Sequence, residues 1–402
     1  MMSSAPRLKT TRLDDLGFVS RGRSRHRPRN DASLYGGNYP FFQTGDIKAA
    51  NLYLTEYSQT YSEAGLAQSK MWDKGTLCIT IAANIAETAI LGIPGCFPDS
   101  VVGFVPDPDK ADVRFIKYYI DILKLGMQSI SRGTTQDNMS VEKLMSFDFN
   151  VPDLATQRKI GGILSAYDDL IENNLRRIKI LEEMAQSLYR EWFVHFRFSG
   201  HESVRFTESN IGRIPKGWDV KAMTEAVTVR PKVSIPKGGD IPFVTMGGLS
   251  ENSMLITEVE SRETPTGARF QNGDTLFARI TPCLENGKTG YVEFLPFDES
   301  AACGSTEFIV LRSKTVCPQY VYLMARSDAF RDNAIKSMSG ATGRQRVRDE
   351  CFDQFFLAQP PEDLLTRFES ITRSQFELIH SLNRSNQNLR RTRDLLLPKL
   401  LQ

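Results

Sequence analysis

Apolar residues recur every three or four positions over two long stretches of this 402-residue chain, the spacing of one face of an α-helix. The first stretch begins at about Ala155, lacks Gly and Pro after Gly162, and has its apolar positions at Ile160, Ile163, Leu164, Tyr167, Leu170, Ile171, Leu175, Ile178, Leu181, Ala185 and Leu188. The second begins at about Glu362 and contains Leu382, Leu389 and Leu396, seven residues apart as in a coiled-coil seam. A helix of about forty residues is about 60 Å long, too long to be buried in one small domain.

The region before each long helix has a different pattern. Short apolar runs separated by turn residues, such as residues 76–81 and 100–105, predict strands. An apolar stripe at helical spacing over residues 113–125 predicts one helix among them, with a counterpart at 318–329. The sequence therefore predicts a mixed α/β region before each long helix.

The two halves of the chain resemble each other in the order of these features. Pro40 and Phe41 correspond to Pro242 and Phe243, residues 74–77 to 273–276, and residues 131–134 to 339–342. Each copy then passes a proline, Pro152 or Pro360, and enters its long helix. Ordered self-similarity of this kind indicates an internal duplication.

The predicted architecture is therefore two globular mixed α/β domains carried on two long helices that pair antiparallel. The boundaries are 1–152 for the first domain, 153–198 for the first helix, 199–360 for the second domain and 361–402 for the second helix. An ordinary helical hairpin inside a single large core is the alternative. The wide separation of the two helices by irregular domains favours the first arrangement.

Composition excludes several classes of protein. The 50 Lys and Arg nearly balance the 48 Asp and Glu, although basic residues concentrate between Arg7 and Arg29. The six cysteines form no Cys-x-x-Cys pair, so neither a zinc site nor a disulfide framework is indicated. The basic, polar start does not resemble a signal peptide, and no apolar run is long enough to span a membrane. We expect a reduced cytoplasmic protein without a bound metal or cofactor.

No motif with a catalytic mechanism is complete in the sequence. Asn286–Thr289 reads Asn-Gly-Lys-Thr like the end of a phosphate-binding loop, but Pro282 stands where the first glycine would be, so a turn is favoured. Gly161 and Gly162 lack a third glycine at dinucleotide spacing and more simply allow close packing of the helix start. A tetrapeptide of the Asn-Pro-Pro-Tyr type, with which amino-methyltransferases hold a flipped base, is absent.

The remaining polar signals favour contact with nucleic acid. Residues 20–29 form a basic loop able to follow phosphates and to place arginines on guanine edges, and residues 131–138 and 339–346 are rich in base-reading side chains. Solvated loops and ordinary polar turns are the competing interpretations. The candidate DNA contacts are Arg21, Arg23, Arg25, Arg27, Asn84, Thr134, Thr135, Gln136, Asn138, Arg230, Lys232, Arg279, Lys288, Thr342, Arg344, Gln345 and Arg346.

Four segments resemble those of a known family, the DNA-specificity (S) subunits of Type I restriction-modification systems. Residues 211–218, Ile-Gly-Arg-Ile-Pro-Lys-Gly-Trp, are similar to the opening of a target-recognition domain in that family. Residues 83–86, 133–136 and 395–401 are similar to family patterns as well. The first half lacks the Ile-Pro-x-Gly-Trp opening, so the start of the first domain is less well defined than that of the second.

The resemblance implies a fold and a function. The globular domains would be target-recognition domains, each reading half of a split, asymmetric sequence in double-stranded DNA, with the helix pair as the spacer. Catalysis would belong to partners, namely two methyltransferase (M) subunits and, in the full complex, restriction (R) subunits. We expect the M subunits to dock on the outer faces of the helices, including Arg176, Arg177, Glu182 and Glu183, although such charges are often only solvated.

Two other classes of function are open at this stage. A coiled-coil adaptor whose globular ends bind proteins would explain the helices, and the salt dependence of DNA binding would distinguish it. An autonomous methyltransferase or nuclease would need a cofactor or metal motif that the sequence lacks. The target sequence and the gap between its halves do not follow from side-chain identity, because loop conformation and DNA shape contribute to recognition.

Overall fold

The computed structural model describes residues 8–82, 86–130, 141–235, 239–296, 300–341 and 343–401. The chain divides into two compact units. Unit 1 comprises Met1–Asn173 and Asn386–Gln402, and unit 2 comprises Asn174–Ser385. Each unit therefore contains one globular domain and part of each long helix.

The first globular domain contains short helices and eleven short strands among its described residues. The helices are α1 Thr44–Ala49, α2 Glu63–Ala67, α3 Val113–Ile130 and α4 Val141–Met145. The strands are β1 Lys9–Thr11, β2 Gly17–Arg21, β3 Tyr35–Phe41, β4 Tyr53–Leu54, β5 Gln59–Tyr61, β6 Met71–Trp72, β7 Leu77–Thr80, β8 Thr88–Leu91, β9 Gly95–Cys96, β10 Val101–Pro106 and β11 Phe149–Val151. The long helix α5, Leu154–Tyr189, follows and ends in a π-helical turn, Arg190–Val194.

The second globular domain repeats this composition. Its strands are β12 Phe206–Ser209, β13 Gly212–Pro215, β14 Asp219–Ala222, β15 Val227–Val229, β16 Ile241–Val244, β17 Val259–Arg262, β18 Ala268–Gln271, β19 Thr275–Ala278, β20 Thr289–Tyr291, β21 Ala301–Gly304, β22 Phe308–Ser313 and β23 Phe356–Gln359. The helices are α6 Met223–Ala226, α7 Pro318–Arg326, α8 Asp328–Lys336 and the long α9, Glu362–Leu401.

Three sheets recur in the two domains with the same strand order, except that the first domain adds β4 to one of them; the second domain also has the two-stranded sheet β12-β13. One sheet runs β2-β10-β7-β8-β4 in the first domain and β15-β22-β19-β20 in the second. Another runs β5-β3-β9-β6 and β17-β16-β21-β18, and in both copies its central pair is parallel while the outer pairs are antiparallel. A third, two-stranded sheet pairs β1 with β11 and β14 with β23. The internal duplication predicted from the sequence is confirmed at the level of strand order.

Hydrogen bonds correct one of the predicted alignments by a single residue. Gly75 donates to the carbonyl of Leu91, and Gly273 donates to that of Val292, each over 2.8 Å. Both glycines have left-handed backbones, with φ of 91° and 85°. The two glycines therefore correspond to each other, because only glycine adopts this turn conformation without strain. The sequence alignment instead matched Leu77 with Leu276, which is an offset one residue larger than the offset between the two glycines.

The segment 318–329, predicted as the counterpart of the helix at 113–125, differs from that helix in its continuity. In the first domain α3 is continuous, as the apolar stripe predicts, whereas in the second domain the helix ends at Arg326 and a new one begins at Asp328. Ser327 lies between them with an extended backbone, ψ 148°, and its hydroxyl donates to the carbonyl of Met324 over 2.6 Å. Asp328 in the first turn of α8 is favourable at a helix N-terminus.

The long helices supply the core of each unit. In unit 1, the buried Ile160 and Leu164 of α5 lie in one apolar cluster with Leu397 and Leu401 of α9. In unit 2, the C-terminal half of α5 shares a cluster with the N-terminal half of α9, which places Phe193 and Phe368 4.7 Å apart between ring centroids. The two helices are therefore antiparallel. Gly161 permits close packing of the start of α5 against the start of α3, because a Cβ there would lie 2.7 Å from Oδ1 of Asp112.

The described residues include the cysteines and other candidate metal ligands of the chain. All six cysteines are free thiols. No group of three or more His, Cys, Asp or Glu side chains in the described ranges is arranged to hold a metal ion. None of the described helices has the length and apolar character required to cross a membrane. The motif-like residues 286–289 lie in a turn and the start of β20, in agreement with the prediction of a turn.

A half-buried acid and a half-buried base in unit 2 have pKa values shifted in opposite directions. His380 Nε2 lies 3.1 Å from an Oε2 of Glu293. Burial lowers the pKa of His380 from 6.5 to about 4, and burial, with the nearby Glu377, raises the pKa of Glu293 from 4.5 to about 7. Native His380 stays neutral where the unfolded chain binds a proton, so it makes stability rise with pH between 4 and 6.5. Native Glu293 retains a proton that the unfolded chain loses, so it makes stability fall between 4.5 and 7.

We predict that His380→Gln removes a contribution to stability that rises with pH and leaves the contribution of Glu293, which falls with pH. Relative to wild type, the free energy of unfolding of H380Q should fall by up to about 3 kcal/mol as the pH is raised across the window in which His380 titrates. Urea titrations at several pH values measure this difference, and His195→Gln, at an exposed residue, is the control. Parallel pH profiles for H380Q and wild type would contradict the assignment.

Candidate nucleic-acid interface

The predicted DNA contacts that the structure describes cluster at one end of the β2-β10-β7-β8-β4 sheet and of its counterpart β15-β22-β19-β20. Neighbouring strands in this part of each sheet are antiparallel, so the ends of β2 and β7 lie beside the starts of β10 and β8. The ends of β15 and β19 lie in the same way beside the starts of β22 and β20. We call these two regions the first and the second basic edge.

The first basic edge is the segment 21–29, which continues from β2 in an extended conformation. Arg21, Arg23, Arg25 and Arg27 are exposed and alternate with the buried Gly22 and Ser24. The alternation follows from the two-residue period of extended backbone, which presents every second side chain to the same face. Within the described part of the chain, no carboxylate forms a salt bridge with Arg21, Arg23 or Arg25.

Backbone contacts hold this segment in place. Gly22 donates to the carbonyl of Val101 over 2.8 Å and Arg23 to that of Phe97 over 3.1 Å. The side-chain oxygen of Gln68 accepts from the backbone N–H of Arg25, over 2.6 Å, and from that of His26. A side chain at Gly22 would not fit, because a Cβ would lie 2.3 Å from the carbonyl oxygen of Phe97. The arginines therefore project from a fixed backbone, which lowers the entropic cost of binding.

Other arginines of the segment are committed to local contacts. Arg27 donates to the carbonyls of Ser24 and His26, over 2.7 and 2.8 Å. Arg29 forms a bidentate ion pair with Asp99. Asp31 accepts from the side chain and backbone of Ser33 and from His26, and these hydrogen bonds lower its pKa.

Lys70 is a further basic residue at this edge that the sequence did not indicate. Its ammonium lies 3.6 Å from the ring centroid of Trp72 and 4.8 Å from that of the exposed Phe18, a cation–π arrangement. Burial, together with the positive charge of Arg23, lowers the pKa of Lys70. No motif surrounds Lys70 in the sequence, so only the fold reveals its position.

The second basic edge is built on arginines paired with carboxylates. Arg230 follows β15 and donates from Nε to Asp349 over 2.5 Å. Glu307, just before β22, accepts from Arg279 over 3.1 Å and from Arg346 over 2.8 Å. The hydrogen bonds from Arg346 and Arg279 lower the pKa of Glu307 and keep it charged. Sequence reasoning identified these three arginines but not the acids that orient them.

A loop of residues 339–348 completes the second edge. Ser339 and Arg346 exchange backbone hydrogen bonds of 3.0 Å, and Val347 donates to the carbonyl of Arg279 over 2.9 Å. The side chains of Lys232 and Arg344 are exposed, and Gln345 is half-buried with its carbonyl accepting from Thr281. Arg348, which continues the alternation of Arg344 and Arg346, is exposed and was not among the predicted contacts.

The remaining predicted residues fall into two groups. Lys288 is at the start of β20, but its ammonium donates to the carbonyl of Met246 over 3.0 Å and so contributes to the fold of the domain. Six others lie outside the described residues: Asn84, Thr134, Thr135, Gln136, Asn138 and Thr342.

The predicted docking residues on α5 have different environments. Arg176, Arg177 and Glu183 are exposed. Glu182 instead accepts hydrogen bonds of 2.7 Å from the hydroxyl of Ser253 and the N–H of Met254, and burial raises its pKa. Glu182 therefore anchors a loop of the second domain. The same exposed helix face carries two apolar residues that sequence reasoning did not single out, Ile180 at 49% and Met184 at 53% exposure.

The arrangement defines a class of protein: a duplicated α/β scaffold on paired helices, with a basic edge on each copy and no described metal cluster. Comparison with known proteins shows which family part of the chain resembles. Residues 7–183 match the model of the Type I restriction modification DNA specificity domain. The resemblance found in the sequence is thereby confirmed for this segment.

Individual relatives extend the similarity over the rest of the chain. The specificity subunit of the Type I restriction enzyme MjaIX from Methanocaldococcus jannaschii is 23% identical over 97% of this chain and 91% of its own length. The HindI specificity subunit from Haemophilus influenzae is 23% identical over 67% of this chain and 72% of its own. The fold is similar to that of the Type I S subunit from M. genitalium, with a TM-score of 0.60 at 14% identity, covering 100% and 98% of the two chains.

We predict that the arginines without carboxylate partners bind against the DNA, where each neutralises phosphate charge whether its own hydrogen bonds go to phosphates or to bases. Because each phosphate contact contributes about 0.9 to the slope of log affinity against log salt, Arg23→Ala with Arg25→Ala should reduce that slope by about 1.8 on duplex DNA. Fluorescence anisotropy across a salt series measures it.

A matched control removes two charges elsewhere in the chain. Arg213 and Lys216 are exposed on and beside the hairpin of β12 and β13, and R213A/K216A should leave the slope unchanged. Equal reductions in the two double variants would show that the slope reports net charge rather than contacts at the first basic edge.

Proposed function

We propose that this protein is the specificity subunit of a Type I restriction-modification complex and reads a bipartite, asymmetric DNA sequence. Each globular domain reads one half of the target through its basic edge, and the long helices fix the spacing of the two halves. The chain recruits two methyltransferase subunits and, in the full complex, restriction subunits. The observation that carries the proposal is the repetition of one sheet topology with a basic edge in both copies.

The chemistry of the two edges supports an asymmetric target. The arginines at positions 21, 23 and 25 have no carboxylate partner within the described residues, whereas Arg230, Arg279 and Arg346 are each held by Asp349 or Glu307. An arginine fixed by a carboxylate presents its remaining donors in a defined direction, which suits bidentate contact with a guanine edge. Two copies with different side chains at equivalent places would read different half-sites.

The functional boundaries follow from the sequence. Residues 1–152 and 199–360 are the two target-recognition domains, and residues 153–198 and 361–402 are the helical spacer. Glu182 belongs to the fold of the second domain. The exposed face of α5 formed by Arg176, Arg177, Ile180, Glu183 and Met184 is the methyltransferase docking surface within unit 2. Its mixture of apolar and charged side chains suits a protein interface better than a solvated helix face.

We predict that co-expression with the methyltransferase subunit of the same restriction-modification system yields a methylated bipartite motif with a fixed gap. Single-molecule sequencing of the host genome maps the methylated adenines and gives both half-sites. R23A/R25A should relax or abolish one half-site, and Arg344→Ala with Arg348→Ala the other, because a bidentate base contact contributes about 1–3 kcal/mol of discrimination. R213A/K216A is the control.

Three outcomes would count against the proposal or part of it. Methylation of a single continuous motif would contradict a two-domain reading. Both double variants altering the same half-site would contradict the assignment of one edge to each half. Co-purification of this protein with the methyltransferase but without any methylation would show that the complex assembles while a recognition domain binds no target.

We predict that charges introduced on the docking surface weaken assembly without unfolding the chain. Ile180→Glu with Met184→Glu should reduce capture of the co-expressed methyltransferase at least about tenfold, because a carboxylate buried in an interface without a partner is costly. Thr207→Glu, at an exposed position of β12, controls for added charge. Undiminished capture by I180E/M184E would place the docking surface elsewhere.

A further inference from the structure

A charged and hydrogen-bonded cluster is buried where the long helices meet in unit 1. Asp168 of α5 is fully buried, and it accepts hydrogen bonds from the hydroxyl of Tyr118 and from a guanidinium nitrogen of Arg393 on α9. The Arg393 side chain is 21% exposed, and it also donates to Asp394 over 2.8 Å. Asp168 and Arg393 are thus an ion pair that crosses from one helix to the other.

The two helices correspond residue by residue at a constant offset. Helix α9 begins at residue 362 and α5 at residue 154. Buried positions on the two helices are related by this same difference in residue number. The matched buried pairs are Ile160 with Phe368, Leu164 with Thr372, Ile171 with Ile379, Ile178 with Asn386 and Tyr189 with Leu397. Each helix half can therefore be compared with its equivalent in the other unit.

The residues of unit 2 that correspond to Asp168 and Arg393 are apolar. Asp168 corresponds to Phe376 of α9, and Arg393 corresponds to Ala185 of α5. In unit 2 both lie in one buried apolar cluster, and the Phe376 ring packs against Tyr291 and Tyr322 at centroid distances of 5.0 and 5.7 Å. In unit 1 the contact between the helices is therefore the ion pair of Asp168 and Arg393. At the equivalent place in unit 2, Phe376 and Ala185 belong to an apolar cluster.

This difference has a consequence for pairing between like halves. If two N-terminal halves paired through their α5 helices, Asp168 of each would lie opposite the small apolar Ala185 of the other. If two C-terminal halves paired through α9, Arg393 of each would lie opposite Phe376. A pair of N-terminal halves would bury two Asp168 carboxylates without a cationic partner, which is strongly destabilising. A pair of C-terminal halves would leave each largely buried Arg393 with only the adjacent Asp394 as its partner, which is destabilising as well.

We propose that the Asp168–Arg393 pair restricts helix pairing to one N-terminal half with one C-terminal half and excludes pairing between two like halves. The partner that this helix face accepts is the complementary half of the same chain. A single buried polar contact is a known device for fixing the register and partner of paired helices, at a cost in stability. The argument is independent of what the globular domains bind.

The test begins with the folded full-length chain carrying a protease site in the exposed segment 199–205. Cleavage leaves an N-terminal and a C-terminal half held together by their helices. After incubation at a temperature that permits exchange of halves, native mass spectrometry distinguishes the mixed complex from the two symmetric ones by mass. We expect only the mixed complex from the wild type.

Variants without the charges should lose this restriction. D168F/R393A copies the apolar pair of unit 2 and should yield symmetric complexes more abundantly than the wild type. The expected increase is on the order of 100-fold for each unpaired charge that the substitutions remove from the symmetric complex. D168R/R393D keeps an ion pair with its charges exchanged and should remain mixed only. D168N/R393Q, which retains side chains of similar size, serves as a second uncharged variant in case the apolar one does not fold.

Two results would overturn the proposal. One is a wild-type chain that forms symmetric complexes as abundantly as D168F/R393A. The other is a failure of both uncharged double variants to raise the symmetric fraction above that of the wild type, which would show that contacts elsewhere select the partner.

Discussion

The burial of one face along two long helices is the constraint on which the rest of the structure depends. Helices of 36 and 40 residues are too long for either globular domain to cover alone. The N-terminal part of α5 and the C-terminal part of α9 are buried with the first domain, and the remaining parts with the second. Because hydrophobic burial is the main favourable contribution to folding, neither helix would be stable over its whole length without both domains.

Duplication on this scaffold separates the fold from the chemistry of recognition. The order of the strands that the two copies share is the same, so the same sheet end becomes a basic edge in each. The side chains at those edges differ: a row of arginines from a fixed extended segment in one, and arginines held by Glu307 and Asp349 in the other. The helix crossings differ as well, through Asp168 and Arg393 in unit 1. The asymmetry of the chain thus lies in a few polar side chains on a common framework.

Sequence periodicity predicted the architecture well, because long helices and buried strands leave regular apolar patterns. It predicted the basic segment 21–29, because that charge cluster is local in the sequence. Arg230, Arg279 and Arg346 of the second edge are far apart in the sequence, and only the fold shows that they lie at the same end of one sheet. The sequence could not show that Glu182 holds Ser253 and Met254, since its charge resembles that of its exposed neighbours. Lys70 and Glu307 were missed for a related reason: each becomes part of an edge only when distant strands come together.

Photocross-linking tests the central claim, that each basic edge reads one half of the target, most directly. The protein would be bound to duplex DNA containing its methylation motif, with 5-iodouracil placed in one half-site at a time, and the linked peptides would be identified by mass spectrometry. The account predicts links to residues 20–29 from one half-site and to residues 339–348 from the other. Links from both half-sites to the same domain, or to the β12–β13 hairpin instead of the edges, would contradict it.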